Sequence, residues 1–442
     1  MLDKMLMKMM EPMMDNRMED MLTKPYPKNL FAMTTMMEKL TPTAVVEAGM
    51  RAESGEPLTR PIGSPNVLSP WNDLLLNPKQ LFELPSKDYK TISSETVIGP
   101  KAVRPLKLSM PIMITGMSLG GSLSKPMKTA LAKGATMAGT STNTGESAVT
   151  PYERENAELL IGQYNRGGWL NTPEQLEQVD AIEVQFGQGA FGGAITDETD
   201  SSEVTEELKD IWNLQEGEDA VINSRFPNTE SPSDIVSLIK KLKTNYEVPV
   251  GVKIAASDYV EYELEIVTEA NADFITIDGS EGGTSSAPPT LQDTVGLPTL
   301  QGLVRTVDWL EKNNKRGDLS VIIAGGLKTP AHFLKALALG ADAVYIGSIA
   351  LMAAMQSQMT KALPQDPPPQ IAMYSGELKD ELNVEEAAKH LNNFLISSVT
   401  EMKMAAQSLG KTALRDLNRC DLVTVSDRLA GFANIRSAYD HR

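Results

Sequence analysis

A chain of 442 residues with a formal net charge of −17 holds one large domain with additions, or two domains, and its acidity argues against nucleic-acid binding as its main work. Its one cysteine, Cys420, excludes a disulfide framework and a Cys-ligated zinc or iron–sulfur site, and His332, His390 and His441 are too far apart in sequence to suggest a metal centre. An acidic, disulfide-free chain of 41% hydrophobic and 5% aromatic residues, with no apolar run long enough to span a membrane, reads as a cytoplasmic globular protein.

Half of the 24 methionines precede residue 38. The opening run Met1–Met10 has the look of a signal-peptide start, but Lys8, Glu11 and Asp15 break it and no small-residue cleavage site follows. An adaptable amphipathic helix is expected instead, packed on the body or on a partner subunit in a homo-oligomer. Residues 1–104 read as an N-terminal extension of short helices and Pro-rich connections.

From about 105 the texture changes to apolar strands alternating with helices. Pro111–Met117 reads as a buried strand, followed by a helix from Ser124 to Ala138 with Ser124 as its N-cap. Thr140–Glu146 is strand then loop, and Leu160–Tyr164 is a weak third strand. Ala181–Gly187 follows a helix starting near Thr172, and Val250–Ala255 follows a helix over 233–245. Phe274–Asp278, Val321–Ala324 and Ala343–Ile346 complete eight strands. The expected fold is α/β, a (β/α)₈ TIM barrel over 105–363 with an N-terminal helical extension. Residues 194–230 form an acidic, Ser/Thr/Asn-rich insertion between strands four and five. Residues 364–442 form a linker and a C-terminal helical tail, with helices over 384–409 and 411–418.

Three constellations carry candidate chemistry. Gly325-Gly326 and Gly347-Ser348 close strands seven and eight, where barrels often seat a phosphate on glycine backbone and a helix start. Ordinary strand-to-helix turning is the competing explanation, and two such pairs on adjacent strands favour the phosphate. Gly116-Met117-Ser118 and Asn143-Thr-Gly-Glu146 supply hydroxyl, amide and carboxylate groups suited to the polar edge of a flavin ring, or equally to capping the next segments. Gln185, Gln188 and Lys253 stand at the ends of strands four and five. A lysine within Val-Gly-Val-Lys-Ile needs an anionic partner: a reduced flavin, a substrate carboxylate, or a salt bridge to Asp278 or Glu281.

Taken in order, these motifs resemble the FMN-binding synthase domain of glutamate synthase over roughly 105–430. The resemblance rests on Gly116-Met-Ser-Leu-Gly120, Ser141-Thr-Asn-Thr-Gly-Glu146, Gln188-Gly-Ala190, Val252-Lys253, Glu281-Gly-Gly-Thr284 and Gly325-Gly-Leu-Lys-Thr329. It implies a TIM barrel, FMN as cofactor, and reductive conversion of 2-oxoglutarate and ammonia-derived nitrogen to L-glutamate. By the same resemblance Gly325, Gly326, Gly347 and Ser348 form the FMN phosphate site, and Met117, Ser118, Gln188 and Lys253 contact the ring. Glu146 stands where ammonia meets substrate, and Glu281, Gly282, Gly283 and Thr284 form the substrate-side loop. Catalytic roles are expected for Glu146, Lys253 and Gln188.

The chain departs from the family pattern at definite places. No glutaminase domain with a catalytic N-terminal cysteine is expected, and Gln356–Gln370 stands where three iron–sulfur cysteines are usual. Gln185 and Phe191 replace two lysines, Gly168 a basic residue with Arg166 close by, and Ser280 a histidine. The expectation is a stand-alone, glutamate synthase-like FMN oxidoreductase acting on a small-molecule substrate, fed by an external electron donor or reductase. The alternatives are a flavin oxidoreductase for a different 2-oxo acid, 2-hydroxy acid or imine, and a non-catalytic flavin-binding assembly module.

Overall fold

The computed structural model describes residues 2–29, 31–193, 197–202, 204–284, 287–363 and 365–441, so the first three residues of the acidic insertion and the start of the linker lie outside the described residues. Contacts divide the chain into two compact units, 1–58 and 59–442. The first holds helices Leu2–Thr23, Phe31–Leu40 and Pro42–Ser54, the last capped by the Thr41 hydroxyl and closed by Gly55 in the left-handed region. Among the described residues no helix is long and apolar enough to cross a membrane.

The second unit is built on eight parallel strands: β1 (Ile112–Ile114), β2 (Ser141–Asn143), β3 (Leu159–Tyr164), β4 (Ala181–Gln185), β5 (Val250–Ala255), β6 (Phe274–Asp278), β7 (Ser320–Ala324) and β8 (Ala343–Ile346). Neighbours pair in chain order from β2 to β8, and β8 pairs back onto β1 through Val344↔Ile112 and Ile346↔Ile114. At the remaining seam the Thr140 hydroxyl donates to the Ile112 carbonyl (2.6 Å). The expected TIM barrel is therefore present. Its strands are legible because both faces are buried, which makes each a near-continuous run of β-branched and apolar residues.

Outward residues such as Ile182, Val184, Ile275 and Ile277 pack against the helical ring. Inward residues Met113, Ile161, Phe274 and Ile322 form a second core with Ile98, Leu106 and Leu108. The latter three belong to an antiparallel hairpin, Thr96–Ile98 with Leu106–Leu108, that plugs the N-terminal mouth. Above this plug lies a polar layer around Glu183. Its carboxylate accepts from Asn143 Nδ2 (3.0 Å), Gln163 Nε2 (2.9 Å) and Thr276 Oγ1 (2.7 Å).

Ser124 caps helix Lys125–Ala138 as expected, its hydroxyl accepting from the Met127 N–H. That helix packs against the long tail helix Val384–Ser408, whose buried face carries Ala387, Ala388, Leu391 and Leu395. One expected element differs. Residues 411–418 form only a single 3₁₀ turn, Leu414–Asp416, because Leu414 and Leu417 are drawn into the core and no helical stripe continues between them. The helix expected to start near Thr172 is present as a single turn, Pro173–Leu176, with Thr172 as its N-cap. The insertion also has structure of its own: a hairpin, Asp197–Thr199 with Ala220–Ile222, around helix Glu206–Trp212.

Candidate active site

The C-terminal strand ends open into a cavity of about 410 Å³, within the range of small-molecule sites. Thirteen of the fifteen sequence-derived candidates line it: Met117, Ser118, Glu146, Gln188, Lys253, Glu281, Gly282, Gly283, Thr284, Gly325, Gly326, Gly347 and Ser348. Asn143 and Gln185 are not part of that lining and lie in the barrel interior. Asn143 binds Glu183 and accepts from the Gly145 N–H through Oδ1 (2.9 Å), so it shapes the turn after β2. Gln185 is fully buried, on the same inward face as Glu183 and opposite Lys253 in register. Neither its Oε1 nor its Nε2 has a hydrogen-bond partner among the described residues. A buried amide left so costs about 1–3 kcal/mol per unmet group.

Lys253 Nζ lies 3.1 Å from Asp278 Oδ2 and 3.5 Å from Thr115 Oγ1. Burial works against the ammonium, but Asp278 and Glu183 outweigh it and hold the lysine above its ordinary range, charged at neutral pH. Of the alternatives open in the sequence, the Asp278 salt bridge is formed, and the pair faces the cavity. Glu146 Oε1 lies 3.2 Å from the buried Arg166, whose guanidinium also stands over the Phe191 ring at 5.8 Å. Gly168, where the family pattern has a basic residue, is exposed. The cationic group on this side is Arg166, two residues earlier.

The β7 and β8 ends form the other pole. Gly325 (φ +111°) and Gly326 (φ +66°) occupy backbone that L side chains avoid. A Cβ on Gly325 would stand 2.5 Å from Thr299 Oγ1, and one on Gly326 2.7 Å from Glu281 Cβ. Gly347 is the N-cap of helix Ser348–Met355, whose first two N–H groups, those of Ser348 and Ile349, have no intrahelical acceptor. Lys328 and His332 line the same pole. Burial, with Lys335 and Lys328 nearby, holds His332 below its ordinary range and so uncharged at neutral pH.

Sequence reasoning placed 59–69 in the N-terminal extension wrapping the main domain and missed it as a strap bordering this pole. Arg60 clasps both oxygens of Asp293 (2.8 and 3.1 Å), and the Ser64 hydroxyl joins them at 2.6 Å. Glu281 accepts from the Ser69 hydroxyl (2.9 Å) and the Thr299 N–H (2.7 Å), so its carboxylate ties strap to loop. Polar contacts between segments more than 200 residues apart leave no periodic trace in sequence. The other missed residue is Lys128, fully buried beneath the loops, which donates to the Met117 (2.9 Å), Asn143 (2.9 Å) and Thr144 (3.2 Å) carbonyls and pairs with Glu153 at 2.7 Å. A lysine within an otherwise apolar helix face was its signal, the same signal that singled out Lys253.

The family model described as "Conserved region in glutamate synthase" matches residues 72–412. A glutamate synthase large subunit-like protein of Rhizobium meliloti (strain 1021) is 32% identical over 400 residues, covering 85% of this chain and 89% of that one. An archaeal-type glutamate synthase [NADPH] of Thermotoga maritima is 34% identical over 342 residues, 77% of this chain. This chain spans only 66% of that relative's length. Among solved structures, a mutant flavocytochrome b2 with benzoylformate shares the fold at a TM-score of 0.50 and 17% identity, over 84% of this chain and 80% of that one. The family match over most of the barrel and the long Rhizobium alignment carry the assignment: the chain belongs to the glutamate synthase family of FMN-dependent oxidoreductases.

Proposed function

We propose that the cavity holds FMN between its two poles and that the protein reduces the imine of a 2-oxo acid to an amino acid. The observation that carries this reading is the combination, in one cavity, of a glycine-framed helix start at β7 and β8 with the Lys253–Asp278 pair at β5 and β6. The residues fit the cofactor in two further ways. The positive-φ glycines leave a cradle that a Cβ would fill, and Gln185, orphaned beside Lys253 in register, has the donor and acceptor that the polar edge of a flavin or an intervening water would satisfy. In this reading Gly325, Gly326, Gly347 and Ser348 take the phosphate, while Met117, Ser118, Gln188 and Lys253 border the ring.

The bound cofactor, once reduced by an external donor or partner reductase, supplies a hydride. Everything else falls to the chain. Glu146 takes a proton from ammonium, freeing ammonia to condense with the oxo carbon and expel water, and returns that proton to nitrogen as the imine carbon is reduced. Arg166 holds the Glu146 carboxylate in place and presents a cation to the substrate carboxylate. Lys253 keeps positive charge at the ring. Gly282, Gly283 and Thr284 close the substrate side beneath the strap.

Purified protein should be yellow, or become so on adding FMN, and after anaerobic reduction its flavin should be reoxidised by a 2-oxo acid plus ammonium. A protein that stays colourless with excess FMN overturns the reading. In the family reaction the acceptor is the imine of 2-oxoglutarate and the product L-glutamate. A different 2-oxo acid is favoured by one observation: Gln185, Phe191 and Gly168 stand where basic residues are usual, and the cavity's Arg166 and Lys253 are each already paired with a carboxylate.

The glycine cradle gives a direct check. Gly325→Ala places a side chain at φ +111° against Thr299. Left-handed strain of about 1–2 kcal/mol is expected to weaken FMN binding by roughly tenfold, read as flavin content and Kd by fluorescence quenching. Gly317→Ala, at an exposed glycine whose Cβ meets nothing within 4 Å, should leave both unchanged.

A further inference from the structure

The acidic insertion between β4 and β5 contributes directly to the cavity. Its hairpin and helix bring Thr199, Trp212, Ala220 and Ile222 to the lining. Trp212 is 4% exposed and stacks on Trp169 of the loop after β3, with ring centroids 4.4 Å apart and planes 10° from parallel. Its orientation is fixed on two sides. The indole Nε1 donates to Ser147 Oγ (3.1 Å), just after Glu146. At the benzo end of the indole the loop after β1 passes so close that a Cβ on Gly120 would stand 2.7 Å from Trp212 Cζ2. Trp169 and Trp212 thus form a rigid double indole on the same cavity as Glu146 and Arg166.

The charges of this cavity are the second observation. Among the described residues its lining cations are Arg166, Lys253 and Lys328. Arg166 is paired with Glu146, Lys253 with Asp278, and Lys328 sits at the phosphate pole. One substrate carboxylate can meet Arg166 where its guanidinium faces the cavity. A second carboxylate would be desolvated against indole and phenyl surface without a cation of its own.

We propose that the Trp169–Trp212 pair is the specificity wall of this site, and that the substrate is a monocarboxylic 2-oxo acid, taken as its imine, whose side chain is apolar and best aromatic. This rests on the flavin-dependent imine reduction proposed above. The step balances as before: the 2-oxo acid and ammonium give imine, water and a proton, and the imine takes the flavin hydride and that proton to become the amino acid.

The test uses the full chain with FMN, reduced anaerobically and mixed with ammonium and phenylpyruvate, 4-methyl-2-oxovalerate or 2-oxoglutarate. Phenylpyruvate is expected to reoxidise the flavin about tenfold or more faster than 2-oxoglutarate at equal concentration. Trp212→Ala should lower that ratio by roughly tenfold, mainly through KM, while flavin content stays constant. Phenylpyruvate, and not 2-oxoglutarate, should also quench tryptophan emission, a readout that needs no turnover. Should Trp212→Ala fail to fold, Trp169→Phe and the wild-type rank order decide. Fastest reoxidation by 2-oxoglutarate, or a ratio unmoved in a folded tryptophan variant, overturns the wall. Absence of flavin binding overturns the underlying reading instead, and a bound flavin that no oxo acid reoxidises leaves quenching to decide the wall alone.

Discussion

Lys128→Met is expected to lower the free energy of unfolding by about 3–5 kcal/mol, the usual cost of removing one partner from a buried ion pair. Lys128 is 1% exposed, and its ammonium serves four acceptors: the Glu153 carboxylate and the carbonyls of Met117, Asn143 and Thr144. Removing it strands a carboxylate and three carbonyls beneath the loops after β1 and β2. Chemical denaturation reads the loss, and Lys128→Met combined with Glu153→Leu should recover most of it, because no buried charge is then left alone. The pH dependence has a definite sign. Burial, opposed by Lys128, holds Glu153 above its ordinary range, so the folded state binds this proton more readily than the unfolded chain. Its contribution to stability is therefore largest at low pH and is lost as pH rises through the folded value. Without Lys128 that value rises further, so the deficit of Lys128→Met should shrink on acidification and be fully expressed at neutral pH. A deficit independent of pH would mean that Glu153 is not the group left exposed to cost. The same variant should lose flavin more readily, since Met117 and the turn before Glu146 hang on this ammonium.

The barrel was legible because its signal is repeated and local. Eight doubly buried strands each give an apolar run, and β6, β7 and β8 each end in glycine or a Gly-Ser turn. That Gly325-Gly326 and Gly347-Ser348 share one pole of the cavity was legible for the same reason: they directly follow strands whose ends must face one mouth. What stayed hidden depends on tertiary pairing. Asp293 looks like a solvated acid in sequence and Glu281 like a substrate-loop residue or a partner for Lys253, yet each fastens the strap, one through Arg60 and Ser64 and the other through Ser69. Glu183 reads as one polar residue in an apolar strand, and only barrel closure brings Asn143, Gln163 and Thr276 to its oxygens. The insertion reads as a polar loop because its strands are three residues long and its single helix is seven. Its meaning lies in Trp212, whose partner Trp169 belongs to another loop.

Lys253→Met is expected to cut flavin reoxidation by the imine by roughly 10²–10³-fold, the effect of removing one preorganised charge from a reacting centre. The lysine sits at the junction of scaffold and chemistry: its ammonium touches Asp278 and Thr115, and Asp278 lines the cavity beside it. Two roles predict different results. If Lys253 only neutralises Asp278, the double variant with Asp278→Asn restores stability and rate together, because the pair vanishes without a stranded charge. If the ammonium faces the reduced flavin, the double variant restores stability but not rate. The midpoint potential then separates the roles further. A cation beside the ring binds the electron-rich reduced flavin more tightly than the oxidised one, so its loss lowers the potential, by about 30 mV for each tenfold of differential affinity. Lys253→Met/Asp278→Asn should therefore fold like the wild type, hold FMN, and show a lower potential and slow reoxidation. Lys253→Arg, which keeps the charge but not the geometry of a compact ammonium, should keep most of the potential and lose part of the rate. A wild-type potential in the folded double variant would confine Lys253 to the scaffold and leave positive charge at this site to Arg166.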